Sequence, residues 1–447
     1  MRHFVLSVFV ALVTLLAVCA QSDGQDMKSQ ELLPPSSSPK EAAVSLQSLE
    51  ELALQNNPTL VQAGAQVRIS SGKAFQAGLK PNPQVGYVAD QIGAEGTAGE
   101  MQGMFFEQEI VTGGKLQLSR EKYIQETRQA EIQVAAQRCR ILYGVRLAYY
   151  EALAASERLK VQENLFANAN EISATLNELV NVGQANSADV LQAKIESRRS
   201  SANIASAKRR AQGSYEALSA MIGVPNLEIT SLDGKLDVQS SEKLDREASL
   251  NNVLQCSPDI RFARAEVRRD EIALARERRE PIPNVLVRGE TGYNFETENT
   301  VAGVEVGLNV PLFDRNQGTI QQARGEVTRA QAEVARLELT LRRRFAEVFA
   351  DYEASYETAR TYRDELLPEA EKVESLYAES FKQRRAAWPQ VLDAQRQYYR
   401  LYEEYLTSVL ETRRAETQIT FLLVEDGLAQ PPEPTPGGHQ DATPKPR

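Results

Sequence analysis

The alternation of apolar and polar positions divides the chain into two halves built on one plan. Each half contains a run of helical periodicity stopped by a Pro-x-Pro pair, first at Lys80-Pro81-Asn82-Pro83-Gln84-Val85 and again at Glu280-Pro281-Ile282-Pro283-Asn284-Val285. Proline cannot donate to a helix and biases its predecessor toward extended backbone. Each pair therefore reads as a helix-to-strand switch. After the first, the pattern predicts strands over Gln84–Ile92 and Met101–Ile110, joined by a loop carrying Gly93, Gly96 and Gly99. Met104, Phe106 and Ile110 share one face of the second strand, with Gly103, Glu107 and Glu109 on the other. After the second switch, strands are predicted over Val285–Tyr293 and Val301–Val310. The last is the cleanest alternation in the chain. Ala302, Val304, Val306, Leu308 and Val310 point one way, and Gly303, Glu305, Gly307 and Asn309 the other.

The helices repeat in the same order. A short helix, Ser48–Asn56, precedes one that opens at Asn57-Pro58 and ends near Leu79, proline being suited to a first helical turn. Its counterpart runs from Pro258 to Arg279. The turn Thr112-Gly113-Gly114 leads into one helical run over Leu116–Val182, with Gly144 its sole interruption, roughly 100 Å long. Such a length without internal caps points to coiled-coil packing. Gly183-Gln184-Ala185-Asn186 breaks it, and Ser187 caps an Ala- and Ser-rich helix reaching Ile222. In the second half, Pro311 to Gly318 form the turn and a second long helix covers Thr319 to about Arg385. Its seam is Phe345, Phe349, Tyr352, Tyr356 and Ala359. Trp388-Pro389 opens the final helix, to about Val424, with Val391, Ala394, Tyr398, Leu401 and Tyr405 as seam. The short and medium helices of a half, end to end, nearly match its long helix. This predicts a column two helices thick running away from the strands.

The expected organisation is a signal peptide over residues 1–20, a flexible segment over 21–45, a first repeat over 46–225, a linking segment over 226–256, a second repeat over 257–425 and a disordered tail over 426–447. Arg2, the apolar run Phe4 to Val18 and the small residues around Ala20 fit secretory cleavage. Lipid attachment at Cys19 is the rival reading. No later stretch is apolar enough to cross a bilayer as a helix. With 447 residues, 42% hydrophobic, 25% charged and a net charge of −10, the chain is long enough for two structural units and unsuited to nucleic acid. Its two histidines lie in the leader and the tail, which excludes a histidine-based metal or acid–base site. Cys139 sits within a helical pattern, so Cys139 and Cys256 read as two buried lone thiols rather than a bridge. No nucleotide-binding glycine loop, Cys/His metal spacing or Ser–His pair is present. The chain reads as a non-enzyme without a cofactor, and energy must come from a partner.

Four strands of nine to ten residues have the length that crosses a bilayer when tilted. An open sheet is not tolerated in lipid, and one chain cannot close a barrel. Several copies, each donating four strands, can close one, with the helices continuing as a tube. On the strand pattern alone, a water-soluble pair of hairpins packed on helices is equally open.

A set of motifs in register adds to this. The doubled Pro-x-Pro turns, Gly113-Gly114-Lys115, Pro311-Leu312-Phe313-Asp314-Arg315-Asn316-Gln317-Gly318 and Val391-Leu392-Asp393-Ala394-Gln395-Arg396 make the chain resemble the TolC-like outer membrane factor family from about Leu46 to Val424. The Pro-Leu-Phe-Asp-Arg-Asn turn and Leu79-Lys80-Pro81-Asn82-Pro83 are most similar to its heavy-metal efflux branch, the CzcC-like and CusC-like proteins. The resemblance implies a mainly α fold with β-hairpins. It implies a homotrimer whose twelve-stranded transmembrane β-barrel sits in outer-membrane lipid above a long periplasmic α-helical barrel. It further implies docking to a periplasmic adaptor and an inner-membrane pump of the RND type. The function so implied is a passive exit duct, most simply for metal cations. A duct for drugs or secreted proteins, and a non-membrane periplasmic scaffold or adaptor, are the alternatives.

The resemblance also nominates residues. The helix turns farthest from the strands, Val182 to Asp189 and Arg384 to Asp393, correspond to the family's periplasmic gate. Against its Asp-Val-Leu-Asp-Ala segment, Asp393 falls on the second acidic position and Gln390 on the first. Asp189 keeps the first acid in the other half, with Gln192 at the second. Three-fold symmetry would triple such acids into a cation-favouring ring. An acid in the first turn, such as Asp189, equally suits the helix dipole. Gly183, Arg384 and Arg385 correspond to adaptor-contacting tips, or are plain C-terminal caps. Glu107, Glu109 and Glu305, on the polar strand face, would line the pore.

Overall fold

The computed structural model describes residues 44–90, 100–183, 186–227, 229, 231–238, 243–383, 385–424 and 428. The signal peptide, Cys19, most of the leader, the hairpin loop from Gln91 to Gly99, Arg384 and nearly all of the tail lie outside them. In the first half, helix α1 (Leu46–Asn56) starts where Ser45 Oγ accepts from the Ser48 N–H at 3.3 Å. Helix α2 (Pro58–Ala77) starts where Asn57 Oδ1 accepts from Thr59 N at 3.0 Å. Strands β1 (Gln84–Asp90) and β2 (Met101–Ile110) follow, then helices α3 (Lys115–Asn181) and α4 (Ser187–Ile222). Gly144 does not interrupt α3. A Cβ there would meet Met221 Sδ at 2.7 Å, so the glycine lets α4 approach closely.

The second half repeats the order, with one π-helical turn added in its long helix. A helix α5 (Arg246–Cys256) lies inside the stretch read as linking, capped by Asp245 Oδ1 accepting from Ala248 N at 2.7 Å. Helix α6 (Pro258–Arg279) then leads to strands β3 (Val285–Asn294) and β4 (Asn299–Leu308). The second long helix is not continuous in type. Helix α7 (Gln317–Thr361) passes through one π-helical turn, Tyr362–Leu366, into α8 (Leu367–Lys382). Pro368 has no N–H to give, and the Leu367 N–H reaches back to the Tyr362 carbonyl instead. Helix α9 (Trp388–Thr420) completes the fold. Cys139 is half-buried and Cys256, at the end of α5, is exposed; both are free thiols. The expectation of two buried thiols therefore fails for Cys256.

The four strands form one antiparallel sheet in the order β1-β2-β3-β4. β4 ends at Leu308 rather than Val310 because its partner β3 begins at Val285, paired to Leu308. A strand at an edge has no second neighbour to extend it. Below the sheet, α2 and then α4 flank α3, so the long helix is accompanied along its length, as the column predicts. The predicted seam of α7 is the core of the second half: Phe345, Phe349, Tyr352 and Ala359 are at most 2% exposed. Phe345, Phe349 and Tyr352 pack on Val253, Ile260 and Ile419, Ala359 joins the core around Ile141 and Leu406, and the Phe345 and Phe349 rings stack at 5.3 Å. Nearer the sheet, the buried positions of α3 are polar instead, including Lys122, Glu126, Gln129, Gln133 and Gln137. Gln137 Nε2 donates to Thr59 Oγ1 at 2.8 Å. Arg269 of α6, wholly buried, pairs with Asp270 at 2.9 Å and Glu266 at 3.2 Å. Burial holds the Glu126 carboxyl above its ordinary range, against the pull of Arg269, Lys122 and Lys73.

Candidate functional site

Alternation on paired strands places side chains in rows across the sheet. One row is Val85, Phe106, Gly289 and Val304; the next is Tyr87, Met104, Thr291 and Ala302. On this face Val85, Tyr87, Val304 and Val306 are 64–80% exposed, with Phe106 and Met104 near half. Among the described residues, no helix covers them. The opposite face carries Gln84, Glu107, Arg288 and Glu305 in one row, and Gly86, Phe105, Glu290 and Gly303 in another. Glu107 and Glu305 thus share a polar row, as their strand parity predicts. Arg288 stands between them, a residue the sequence reading did not single out. Its guanidinium lies 4.6 Å from the centre of the Phe105 ring and 3.6 Å from Glu290. Arg288 has the same parity in β3 that Glu305 has in β4, and only the register shows that the cation divides the two acids. Glu109 faces the same way but is engaged at the foot of the sheet, where it accepts from Asn284 Nδ2 at 2.6 Å.

That foot is a joint between the halves. Thr112 Oγ1 donates to the Pro283 carbonyl at 2.5 Å, and Asn284 Oδ1 accepts from Thr112 N at 3.3 Å. Lys115 Nζ donates to the Ile282 carbonyl at 2.8 Å. Burial pulls the Lys115 ammonium below its usual pKa, opposed by the nearby Glu280. Gly113, at φ +70°, sits against Ile282, where any side chain would be both strained and crowded. The Thr112-Gly113-Gly114 turn of one half is thus seated on the Pro-x-Pro switch of the other.

The far end of the column brings the two nominated turns together. Leu176, Val190 and Ala193 of the first half pack with Trp388, Val391 and Leu392 of the second. Trp388, 3% exposed, lies 6.2 Å from the Phe381 ring. Glu196 of α4 and Arg396 of α9 form an ion pair at 2.7 Å that ties the turns to each other. None of these partners was visible as a pair in the sequence. Asp189 is half-buried in the first turn of α4, beside the Asn186 cap that receives Ala188 N. Asp393 is exposed, flanked by the buried Leu392 and Ala394. Gln390 has its own local partner, accepting from Ala387 N at 3.0 Å and closing the start of α9. Gly183 takes φ +75° and is exposed, with its N–H on the Val180 carbonyl at 2.9 Å. Arg385 is exposed and its N–H is held by the Ser380 carbonyl at 2.7 Å.

This architecture carries no catalytic constellation among the described residues. It offers instead a sheet with one apolar and one polar face, a long column, and a double-turn tip with two acids. The family model for outer membrane efflux proteins matches residues 49–224 and 249–424, one match for each half. The chain belongs to the outer membrane efflux protein family. The relatives of this efflux protein include the cobalt-zinc-cadmium resistance protein CzcC of Cupriavidus metallidurans. The two are 26% identical over 388 residues, covering 86% of this chain and 91% of CzcC. The nickel-cobalt-cadmium resistance protein NccC of Alcaligenes xylosoxydans xylosoxydans is 29% identical over 311 residues, 67% of this chain and 68% of NccC. The outer membrane protein VceC of Vibrio cholerae has the same fold, with a TM-score of 0.66 at 19% identity, covering 85% of this chain and 96% of VceC. The two separate matches agree with the duplication seen in the strand order and helix lengths. The second opens within α5, so the family's repeat unit includes the short helix that precedes the proline-initiated one in each half.

Proposed function

We propose that the chain is one third of an outer-membrane exit duct through which heavy-metal cations leave the cell. Three copies close a twelve-stranded barrel, and their helices continue it as a periplasmic tube. The observation that carries this reading is the sheet: its apolar face is uncovered and both its edges, β1 and β4, are open. Lipid accepts such a face only when every backbone group at the edges is paired, and only closure with further strands achieves that. Conduction is passive, and a periplasmic adaptor and an RND-type pump of the inner membrane supply direction and energy. The adaptor meets the tips at Gly183 and Arg385, both exposed, with Arg384 next to Arg385 in sequence. Asp189 and Asp393, each tripled, favour cations at the far constriction; Glu107 and Glu305 do so in the barrel, moderated by Arg288.

The metal assignment rests on the relatives, whose names speak of cobalt, zinc, cadmium and nickel resistance. Two experiments test the proposal. Membranes extracted with and without detergent should release the protein only with it, and sedimentation should give the mass of three chains. A single chain stable in plain buffer would overturn the duct. A strain deleted for the gene should lose resistance to zinc, cobalt, cadmium or nickel; unchanged resistance to all four would overturn the cargo.

A further inference from the structure

We propose that neighbouring copies join through the same joint that the chain already contains between its halves, in one register: Val310 opposite Tyr87 and Leu308 opposite Ala89 of the next copy. This rests on the homotrimer reading and goes beyond it by stating which residues meet.

The duplication supplies the template. Gly114 and Asn316 both take left-handed backbone, φ 72° and 57°, immediately before α3 and α7. Pro81 and Pro281 both lie between the end of a helix and the start of the next strand. The hairpins agree with these two anchors, since Val85 pairs with Phe106 as Val285 pairs with Leu308. Positions in β1 and β3 therefore correspond, as do those in β2 and β4. Between the halves, the outgoing strand of the first pairs with the incoming strand of the second: Gln108 with Val287, and Phe106 with Gly289. Between copies, the outgoing strand of the second half meets the incoming strand of the first. Carrying each residue to its counterpart puts Val310 against Tyr87 and Leu308 against Ala89.

Three independent features fit. Both strands concerned are the free edges of the sheet. The paired side chains fall on the same, apolar face, and Val310, Tyr87 and Leu308 are 64%, 64% and 54% exposed in the single chain. A shift of one residue would set apolar against polar parity and is excluded by the pleat. Moreover, β4 stops at Leu308 although the alternation continues to Val310. The ladder extends when the next copy's β1 is beside it and ends at Pro311, which has no N–H to give. The turn from Leu312 to Arg315, with Phe313 91% exposed, then lies over the neighbour's Pro81-Asn82-Pro83. Thr112-Gly113-Gly114 lies over Pro281-Ile282-Pro283 in the same way within one chain.

Cysteine pairs test the register in the full-length protein, in a background carrying Cys139→Ser and Cys256→Ser. Val310→Cys with Tyr87→Cys is compared with Val310→Cys plus Val85→Cys and Val310→Cys plus Ala89→Cys, all treated in membranes with a short bis-methanethiosulfonate. The shifted positions lie about 7 Å along the strand from Tyr87, so a short reagent separates them. The expected result is a covalent dimer and trimer ladder formed at least tenfold faster by the Val310/Tyr87 pair. Leu308→Cys with Ala89→Cys should behave alike, and Gln108→Cys with Val287→Cys should link within one chain as a folding control. Faster linkage of a shifted pair overturns the register while leaving the trimer standing. A trimer by sedimentation in which no pair links across copies overturns the joint. A single-chain mass for the unsubstituted protein overturns the trimer reading and this inference with it.

Discussion

The sharpest consequence of the sheet geometry concerns Val304. It sits mid-strand in β4, 80% exposed, in the row Val85, Phe106, Gly289 and Val304. If this face meets lipid, Val304→Arg places a guanidinium near the bilayer midplane. Such a substitution costs about 2–4 kcal/mol per chain, hence about 6–12 kcal/mol for a trimer in which all three copies carry it. That is large against the few kcal/mol by which a typical point substitution acts. The control is Val301→Arg, three residues away but on the polar face, opposite Gly292. There the side chain enters the aqueous lumen beside glycine and costs little. The assay is the urea midpoint of the protein reconstituted in lipid vesicles, together with the fraction running as a trimer without boiling. Val304→Arg should lower both sharply and Val301→Arg should leave both near wild type. Normal assembly of Val304→Arg would refute lipid contact at this face. A loss confined to Val301→Arg would mean that the faces had been assigned the wrong way round.

Three further outcomes follow from the column and its tip. Glu126→Gln should raise the melting temperature at pH 7, and the gain should shrink as pH falls. The folded-state pKa is raised by burial, so the wild-type protein carries the cost of a buried charge above that pKa and sheds it on protonation; a gain independent of pH would contradict this. The Glu196–Arg396 pair, with Arg396 43% exposed, should show a coupling of only about 0.2–1 kcal/mol in a double-mutant cycle on unfolding. Its removal should nonetheless raise single-channel conductance in planar bilayers if it tethers the tip, and equal conductance would sink that role. Asp393→Lys should lower the preference for cations read from reversal potentials in a KCl gradient, whereas Gln390→Ala, a helix-closing residue, should not change it.

Much of the architecture was readable because its signals are local. A Pro-x-Pro needs no tertiary partner to stop a helix, and β2 was bounded correctly at Met101 and Ile110 because both its neighbours lie within the chain. The seam of α7 was readable because four aromatic side chains and Ala359 recur at coiled-coil spacing. What escaped depends on partners. Helix α5 was hidden because only Val253 of its eleven residues is buried, which leaves almost no periodicity to see. Its one signal was Asp245, three residues before Ala248. The π turn at Tyr362 was hidden because one extra residue per turn barely disturbs the hydrophobic pattern over so short a stretch. Leu366-Leu367-Pro368 inside a helical run was its trace. Arg288 and the Glu196–Arg396 pair were hidden for a third reason: they are defined by register across elements, which periodicity along one element does not contain.

The two repeats are alike in order but not in stiffness, and the difference falls where a duct would need it. Helix α3 runs unbroken from Lys115 to Asn181, while its counterpart changes hydrogen-bond type at Tyr362–Leu366 before reaching the tip. Around that turn the segment between the repeats closes in. Arg363 approaches Asp237 at 3.8 Å, Tyr405 donates to the same carboxylate at 3.3 Å, and Arg413 holds the Asp237 carbonyl. Burial and the Asp237 charge push the Tyr405 phenol well above its ordinary pKa, so it stays a donor throughout the physiological range. Below this clamp, α8 has no fully buried residue, whereas α9 buries Trp388, Val391 and Leu392 in the tip cluster. A helix pair joined to the column through a π turn, with no buried residue in α8 and with ties to the rest of the chain at the Asp237 clamp, Arg158–Glu403 and Glu196–Arg396, is less firmly packed than the unbroken α3 with α4 beside it. Any widening of the far end therefore costs least if α8 and α9 move and α3 and α4 stay.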